Sequence, residues 1–440
     1  MNMMRKRTKK GSALIFVLVM IIALLIYATA FISASINQTF IADIFKRRAA
    51  AFNIAEAGLD HALLWLRSQD SPPAADSVDP WGGPQNVGGG TYTVAIDDLG
   101  PVGTNPLVRR YKVTSTGTFG NMSRVLSNYL KVDNFGGYLW WTNSETYCDD
   151  WNRCQNVWFW TRDHLSGPTH TNSHYNIAGN PVFDGRAHSV DPYIYFYNNN
   201  NPVTSDELPD LTSNPPNDVP VFNDGIELGV AHIDMPENAL ALRSAAASTG
   251  GLYLTGNTTA VFNSNGTIYL TNRNKSGCRS GCTVSIPTNG ALFVNNGTLT
   301  VSGTLNGRLT VGASQDVIIP NNIVYADDPR DGTSDDTLGI ISESDVVIDD
   351  IAPSNLEIDA AVMALNNSFM MENWDDYMKG TLTVYGGIIQ DLRGPVGTFS
   401  GSTKMSGYDK NYIHDSRFIN SPPPFMPNTG DYTTLSWEEN

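Results

Sequence analysis

Residues 12–42 read SALIFVLVMIIALLIYATAFISASINQTFIA, and no charged side chain interrupts them. A helix of roughly 20 such residues crosses the ~30 Å hydrocarbon layer of a membrane, because each residue adds about 1.5 Å. Neither glycine nor proline occurs from Ser12 to Ala57, so the two strongest helix breakers are absent from this range. The stretch therefore predicts a membrane-spanning helix near the start of the chain.

The helical pattern continues past the apolar stretch. Apolar residues recur there mostly three or four positions apart, at Ile41, Phe45, Phe52, Ala55, Leu59, Ala62 and Leu66. This spacing is typical of an amphipathic helix. We therefore expect one continuous helix over residues 12–68, about 85 Å long, with an apolar first half and an amphipathic second half.

Five basic residues precede this helix, at Arg5, Lys6, Arg7, Lys9 and Lys10. Basic flanks stay on the cytoplasmic side of a membrane, so the remainder of the chain is expected on the other side. Two alternatives remain open. Ala28-Thr29-Ala30 fits a signal-peptidase site that would release a soluble protein starting at Phe31, and an uncleaved signal anchor fits the same residues.

Two runs resemble a known family. KKGSALIFVL at residues 9–18 is similar to the leader junction of type III prepilins, and AFNIAEAGLDHA at residues 51–62 resembles the signature that closes the long helix of PilX-type minor pilins and related pseudopilins. The resemblance implies that residues 1–11 are a leader, which a prepilin peptidase removes after Gly11. It also implies methylation of the new N-terminus, Ser12.

The same resemblance implies partners and a location. Mature helices of this family leave the inner membrane and pack in the core of a filament at the cell surface. The residues implied to face lipid or neighbouring pilin subunits are Leu14, Ile15, Phe16, Val17, Leu18, Ile21, Ile22 and Leu25. Phe16 occupies the position where major pilins carry glutamate. This departure implies a minor or tip subunit of a type IV pilus or of a type II secretion pseudopilus.

The rest of the chain predicts β structure. Only 16% of residues are charged and 39 are glycine, which favours short strands joined by tight turns. We expect a linker at residues 69–90 and a small antiparallel sheet at 91–133. Short runs of Val, Ile, Leu and Thr, separated by Asn-Gly turns, then recur through residues 134–440. They predict a parallel β-helix-like solenoid as passenger, with a β-sandwich as the alternative.

Runs inside the passenger resemble an uncharacterised bacterial domain that is often found behind a pilin-type helix. Examples are GPTHTN at residues 167–172, NPVF at 180–183 and YGGIIQ at 385–390. The resemblance implies an architecture and an exported location. It implies no reaction.

Charge and cysteines narrow the function further. The formal net charge is −16, which disfavours binding to nucleic acids.

Four cysteines form two close pairs, Cys148 with Cys154 and Cys278 with Cys282. In an oxidising compartment they predict two disulfide loops. A four-thiolate zinc site is the alternative.

Few residues point to chemistry. Asp327, Asp328, Asp331 and Asp335 form an acidic loop that is a candidate for calcium, although their spacing matches no EF-hand. We expect no cofactor and no other metal. No nucleophile elbow, phosphate loop or metalloprotease motif occurs, so an enzyme is not expected.

Another class of function stays open. Exposed Trp and Tyr side chains stack on sugars, so the alternative is a membrane-anchored or secreted β-helical protein that binds carbohydrate or acts on polysaccharide. A tip subunit that adheres to an unknown surface ligand is the third hypothesis. A cluster of aromatic residues at Tyr138, Trp140, Trp141, Trp151, Trp158 and Trp160 motivates both.

Overall fold

The computed structural model describes residues 12–69, 71–149, 153–197, 202–204, 218–401 and 403–439. Helix α1 (Ser12–Arg67) is continuous and is followed by β1 (Gln85–Val87), β2 (Gly90–Val102), β3 (Asn105–Phe119) and β4 (Met122–Asn134). The next strands are β5 (Trp140–Ser144), β6 (Thr146–Cys148), β7 (Cys154–Asn156), β8 (Phe159–Trp160), β9 (His164–Ser166), β10 (Thr169–Thr171), β11 (Asn176–Ala178), β12 (Val182–Phe183), β13 (Ala187–Ser189), β14 (Tyr193–Phe196), β15 (Pro202–Thr204), β16 (Val221–Phe222) and β17 (Ile226–Leu228).

After α2 (Leu240–Ala246) come β18 (Leu252–Thr255), β19 (Thr258–Asn263), β20 (Thr267–Asn272), β21 (Cys282–Ser285), β22 (Ala291–Asn295), β23 (Leu299–Leu305), β24 (Arg308–Ala313), β25 (Val317–Ile319), β26 (Ile323–Tyr325), β27 (Thr337–Ser342), β28 (Val346–Ile348), β29 (Leu356–Ala364), β30 (Phe369–Met371), β31 (Met378–Leu392), β32 (Gly397–Ser400), β33 (Thr403–His414) and β34 (Asn428–Glu439). The predicted fold class is confirmed: a mainly β chain carries one long N-terminal helix, one antiparallel sheet and one large, mostly parallel sheet.

The second half of α1 lies on an antiparallel sheet with the strand order β1-β2-β3-β4-β34, which we call the first sheet. Burial alternates along β3, as expected for a strand with one face covered by a helix. The helix buries a stripe of residues spaced three or four apart: Ala51, Ile54, Ala55, Leu59, Ala62 and Leu66. The amphipathic spacing in the sequence therefore marks the surface that packs on the sheet.

A close approach at Gly117 sets the distance between α1 and the first sheet. A Cβ atom built on Gly117 would lie 2.3 Å from the carbonyl oxygen of Ala51 and 2.4 Å from the amide nitrogen of Ala55. Both are backbone atoms, so a side chain at residue 117 requires the helix itself to move. Glycine at residue 117 of β3 is therefore required by this contact with the backbone of α1.

The large sheet, here the parallel stack, has 23 described strands. One ladder of paired residues runs through Leu252, Leu292, Val311, Ile340, Val362, Ile388, Trp140, Thr169, Ala187 and Ile226. Most of these side chains belong to one continuous apolar core. Such a stack buries apolar surface only between successive layers, so each layer depends on its neighbours.

The order of this ladder differs from the order of the chain. Ile388 of β31 pairs with Trp140 of β5, and β33, the last strand that the chain forms in the stack, pairs with both β31 and β9. The last strands of the stack therefore lie beside its first strands. From Trp140 the chain builds outward to Ile226 at one end, and it resumes at Leu252 at the other end. The chain therefore enters the parallel stack at β5 and leaves it after β33, and both of these strands pair with β31 in the middle of the stack.

Residues 229–251 connect the two ends along the outside of the stack. Leu242 and Ala246 of α2 pack there against the outward-facing Phe293, Ile341 and Met363 in a second core. Arg243 forms an ion pair with Glu343, which also accepts a hydrogen bond from the Ala239 amide. The outer faces of β22, β27 and β29 are apolar because residues 229–251 cover them.

A buried ion pair joins the two layers where the chain enters and leaves. Arg393, after β31, lies 2.6 Å from a Glu145 carboxylate oxygen, and both side chains are at most 1% exposed. Glu145 also accepts hydrogen bonds from Trp140 Nε1 and Thr142 Oγ1. The Arg393 guanidinium lies 3.6 Å from the ring centroid of Phe159. These contacts satisfy charges that would be costly if left unpaired.

The last strand of the chain does not belong to the parallel stack. The sequence predicts that residues 134–440 form the passenger, but β34 pairs with β4 at the edge of the first sheet. The structure also places β1 of the expected linker in that sheet. The path of the chain explains these pairings. The chain leaves the stack beside the point where it entered, and this brings it back to β4.

Hydrogen bonds fix the segment between β33 and β34 to the first sheet. Asn134 Nδ2 and Lys131 Nζ donate to the carbonyl oxygens of Phe418 and Ile419, respectively. Asn105 Nδ2 donates to the carbonyl oxygens of Pro423 and Met426. The parallel stack is thus attached to the first sheet by two segments of chain and by hydrogen bonds between them.

We predict that Gly117→Ala destabilises the chain by about 1–3 kcal/mol, since the added methyl group overpacks the contact with α1. The free energy of unfolding is measured by guanidinium denaturation of the full chain in detergent. Gly137→Ala is the matched control, because no atom lies within 4 Å of a Cβ built there. Equal stability of the two variants would contradict the assigned role of Gly117.

Candidate functional site

The first half of α1 is an apolar surface without a partner in the described part of the chain. Its large apolar side chains from Leu14 to Ile26 are between 49% and 75% exposed. These include the eight residues predicted to face lipid or other subunits, and they surround the helix on all sides. By length and composition α1 qualifies as one membrane-spanning helix.

The free energy gained by burying apolar side chains shows that this surface needs an apolar partner. Burying one Val, Leu, Ile or Phe side chain is worth about 1.5–3 kcal/mol, and contiguous apolar surface of this extent is not left in water by soluble monomers. A helix that is apolar all round is stable inside lipid or inside a helical core. The first half of α1 is therefore a membrane or subunit interface.

A charged collar separates the two halves of α1. Asp43 is the first acid of the helix, and its carboxylate lies 2.8 Å from Arg47 Nε in an exposed ion pair. Lys46 and Arg48 flank this pair and are also exposed. The buried stripe begins just beyond, at Ala51. Charges at this level suit the polar boundary of a membrane, so the folded domains begin where the apolar surface ends.

The predicted processing site is only partly visible. Gly11 and the basic residues Arg5 to Lys10 lie outside the described residues. Ser12 is the first residue of α1. The peptide bond between Gly11 and Ser12 would thus immediately precede a long helix.

Both close cysteine pairs form disulfides. Cys148 bonds to Cys154 across the β6–β7 hairpin, and Cys278 bonds to Cys282 before β21. The second disulfide pins a cap of antiparallel strands, β19 to β21, at one end of the parallel stack. With all four sulfurs paired, no thiolate is left for the alternative zinc site. The two disulfides indicate an oxidising compartment.

The acidic loop proposed for calcium uses its carboxylates within the chain. Asp328 accepts a hydrogen bond from the Arg330 amide and forms an ion pair with the Arg330 side chain. Asp331 accepts from the amide and hydroxyl of Thr333. Asp327 and Asp335 complete the set but do not converge with these carboxylates into a metal-sized group among the described residues.

A different acidic group consists of Asp349, Asp350 and Glu372, whose carboxylate oxygens lie within 4.8 Å of one another. Asp349 and Asp350 are adjacent in sequence, and as strand residues they would point to opposite faces. They instead follow β28 in a turn, so their carboxylates gather beside Glu372. Asp350 also accepts a hydrogen bond from Asn373 Nδ2 at 2.9 Å.

The clustered aromatic residues divide between two environments. Trp140 and Trp141 are core residues with at most 2% exposure, and Trp141 stacks on His170. Burial lowers the pKa of His170 to about 4, so this imidazole is neutral at neutral pH. Trp158 is half-buried and lines a groove on the stack, and the ring of Trp160, which is 4% exposed, forms part of the same lining. Trp151 lies outside the described residues.

Comparisons with known proteins match part of this architecture. Residues 107–191 match the family model of a domain of unknown function, DUF4900; these residues extend from β3 in the first sheet to the end of β13 in the parallel stack. No curated protein matches the chain.

One solved structure is a competence-associated pilin, ComZ from Thermus thermophilus. It aligns with 90% of this chain and 97% of its own length, at 12% identity and a TM-score of 0.31. A TM-score this low does not establish a common fold.

We predict that Leu18→Arg combined with Ile22→Arg releases the chain from membranes. Each arginine near the centre of a spanning helix costs about 2.5–3.5 kcal/mol, so two offset most of the gain from the apolar residues. The measurement is the fraction of chain that stays in the membrane pellet after carbonate extraction.

The matched control is Asp60→Arg combined with Leu64→Arg. These positions have the same spacing and are exposed in the second half of α1. We expect this control to stay in the pellet. Release of both variants to the same extent would argue against the first half of α1 as the membrane-bound segment.

Proposed function

We propose that this chain is a pilin-like subunit of a type IV pilus or of a secretion pseudopilus. The observation that carries the proposal is the division of α1. Its first half is exposed and apolar, whereas its second half is fixed to an antiparallel sheet. A helix built in this way can reside in the membrane and later exchange lipid for neighbouring helices without any change in the folded domains.

The proposed route starts in the inner membrane. The basic residues before Gly11 stay in the cytoplasm, prepilin peptidase cuts after Gly11, and Ser12 becomes the methylated N-terminus. Other pilin subunits then contact Leu14, Phe16, Leu18 and their neighbours in the filament core. The resemblance around Gly11 and the unpartnered apolar surface support this sequence of events.

We place the chain among minor or tip subunits. Two features support this position. Phe16 lacks the carboxylate that major pilins use at the corresponding position, and the parallel stack adds a passenger much larger than the first sheet. A passenger of this size is easier to accommodate at a filament tip than at every position along a filament.

The role proposed for the parallel stack is display at the cell surface, with adhesion as its use. We propose a structural role and not a catalytic one. The sequence carries no nucleophile elbow, phosphate loop or metalloprotease motif.

The N-terminus of the mature chain tests this proposal. We expect mass spectrometry to find a chain that begins at Ser12 in cells with prepilin peptidase and an uncut chain in cells without it. Gly11→Leu should block the cut, because the bulky side chain replaces the residue at the cleavage site.

Ala30→Leu is the matched control, because signal peptidase requires a small residue before its cut. This variant should still begin at Ser12. A mature chain that begins at Phe31, and that Ala30→Leu abolishes, would assign the chain to signal peptidase and overturn the pilin proposal.

A further inference from the structure

A groove of about 280 Å³ opens on the parallel stack. Six aromatic side chains line it, and we call it the aromatic groove: Trp158, Trp160, Tyr197, Trp374, Phe399 and Tyr408. No residue of α1 or of the first sheet contributes to its lining. The groove is therefore built wholly from the passenger, and its use does not depend on membrane insertion or filament assembly.

The aromatic rings hold one another in fixed orientations. Trp160 stacks on Phe399 with 5.0 Å between ring centroids, and Trp158 meets Tyr197 edge to face at 5.1 Å. Trp374 packs edge to face on Tyr147 of the β6–β7 hairpin. Rings fixed in this way present flat surfaces to a ligand with little loss of conformational freedom on binding.

Polar groups stand beside these rings. Gln155 and Asn156 of β7 lie at the groove, and both are exposed. The disulfide between Cys148 and Cys154 closes the hairpin directly before them. Amide side chains can donate and accept hydrogen bonds at once, and the disulfide restricts where these two can move.

The charges at the groove are already compensated within the chain. Lys410 Nζ lies 2.7 Å from a carboxylate oxygen of Asp163. Lys404 Nζ lies 3.0 Å from Asp409, which also pairs with Arg162. An anionic ligand would have to compete with these carboxylates. The groove therefore favours a ligand without net charge.

A neutral sugar chain meets these requirements. One face of a pyranose ring presents C–H groups, which carry a slight positive charge and pack on the negative face of an aromatic ring. The hydroxyl groups around the ring edge need partners that both donate and accept. A pocket that combines apolar walls with a few polar groups is the usual form of a small-molecule site.

We propose that the aromatic groove binds a neutral oligosaccharide, with the rings of Trp374 and Phe399 as stacking platforms and the amides of Gln155 and Asn156 as hydrogen-bond partners for its hydroxyl groups. This assigns the ligand class for the adhesive role of the passenger. The binding itself stands apart from the pilin proposal, because a chain anchored in any other way would carry the same groove.

The test is binding of the full chain, in a detergent without a sugar headgroup, to a panel of neutral hexasaccharides of glucose, N-acetylglucosamine, mannose and galactose. Binding is followed by tryptophan fluorescence. We expect saturable binding of at least one hexasaccharide. A hexagalacturonate and a single-stranded deoxythymidine oligonucleotide serve as anionic competitors and should bind more weakly.

Variants locate the site. Trp374→Ala should weaken binding about fivefold or more, as expected for the loss of one stacking platform. Gln155→Ala combined with Asn156→Ala removes exposed amides without touching the core and should also weaken binding. Tyr269→Ala is the control, since this tyrosine is 43% exposed in β20 and lies outside the groove.

Three outcomes would overturn the proposal. They are absence of binding across the neutral panel, tighter binding of the uronate or of the oligonucleotide, and equal binding by the Trp374, Gln155/Asn156 and Tyr269 variants. Failure of these experiments would leave the cut at Ser12 unaffected. An N-terminus at Phe31 would likewise leave sugar binding intact, so the two proposals fail separately.

Discussion

The packing of α1 on the first sheet is the contact on which the rest of the molecule depends. It orients a helix whose other half has no apolar partner among the described residues. The close approach between Gly117 and the backbone of Ala51 and Ala55 leaves little freedom in this contact. Because the first sheet also holds both chain segments that lead to the parallel stack, the same contact determines how the passenger is carried relative to the helix.

The route of the chain through the parallel stack follows from this arrangement. A stack that began at one end and finished at the other would deliver the chain far from β4. Here the chain begins in the middle at Trp140, and the last long strands that it forms, β31 and β33, pair with the first ones through Ile388 with Trp140 and Tyr412 with Leu165. The Arg393–Glu145 ion pair lies where β31 and β5 pair. Residues 229–251 connect the two ends of the stack along its outside. The result leaves both ends of the stack free of covalent attachment to the first sheet.

Much of this could be predicted from sequence because it depends on local patterns. Uncharged residues from Ser12 to Ala42 predict an exposed apolar helix, and the spacing after Ile41 predicts its packed face. The short runs separated by Asn-Gly turns predict strands in layers. The pairing of β34 with β4 was not predictable, since the alternation of its side chains suits any sheet. The partner of β34 depends on where the chain leaves the stack. That position depends on which strands of the stack pair, and these strands are distant in sequence.

Functional details show the same limit. The disulfides were predicted because their cysteines are close in sequence. The aromatic groove was not, because it brings together residues from β7, β8, β32 and β33, together with Tyr197 after β14 and Trp374 between β30 and β31. Asp349 and Asp350 are adjacent in sequence, but only the structure shows that they lie in a turn beside Glu372. In each case the missing information was three-dimensional proximity between distant segments.

The first half of α1 is exposed on every side, so we expect it to contact lipid or other subunits and to contribute nothing to the stability of the folded domains. The most direct test is a chain truncated to begin at Asp43. We expect it to be soluble without detergent and to unfold at the same guanidinium concentration as the full chain in micelles. A truncated chain that aggregates, or that unfolds at a markedly lower guanidinium concentration, would instead show that residues 12–42 pack against the domains.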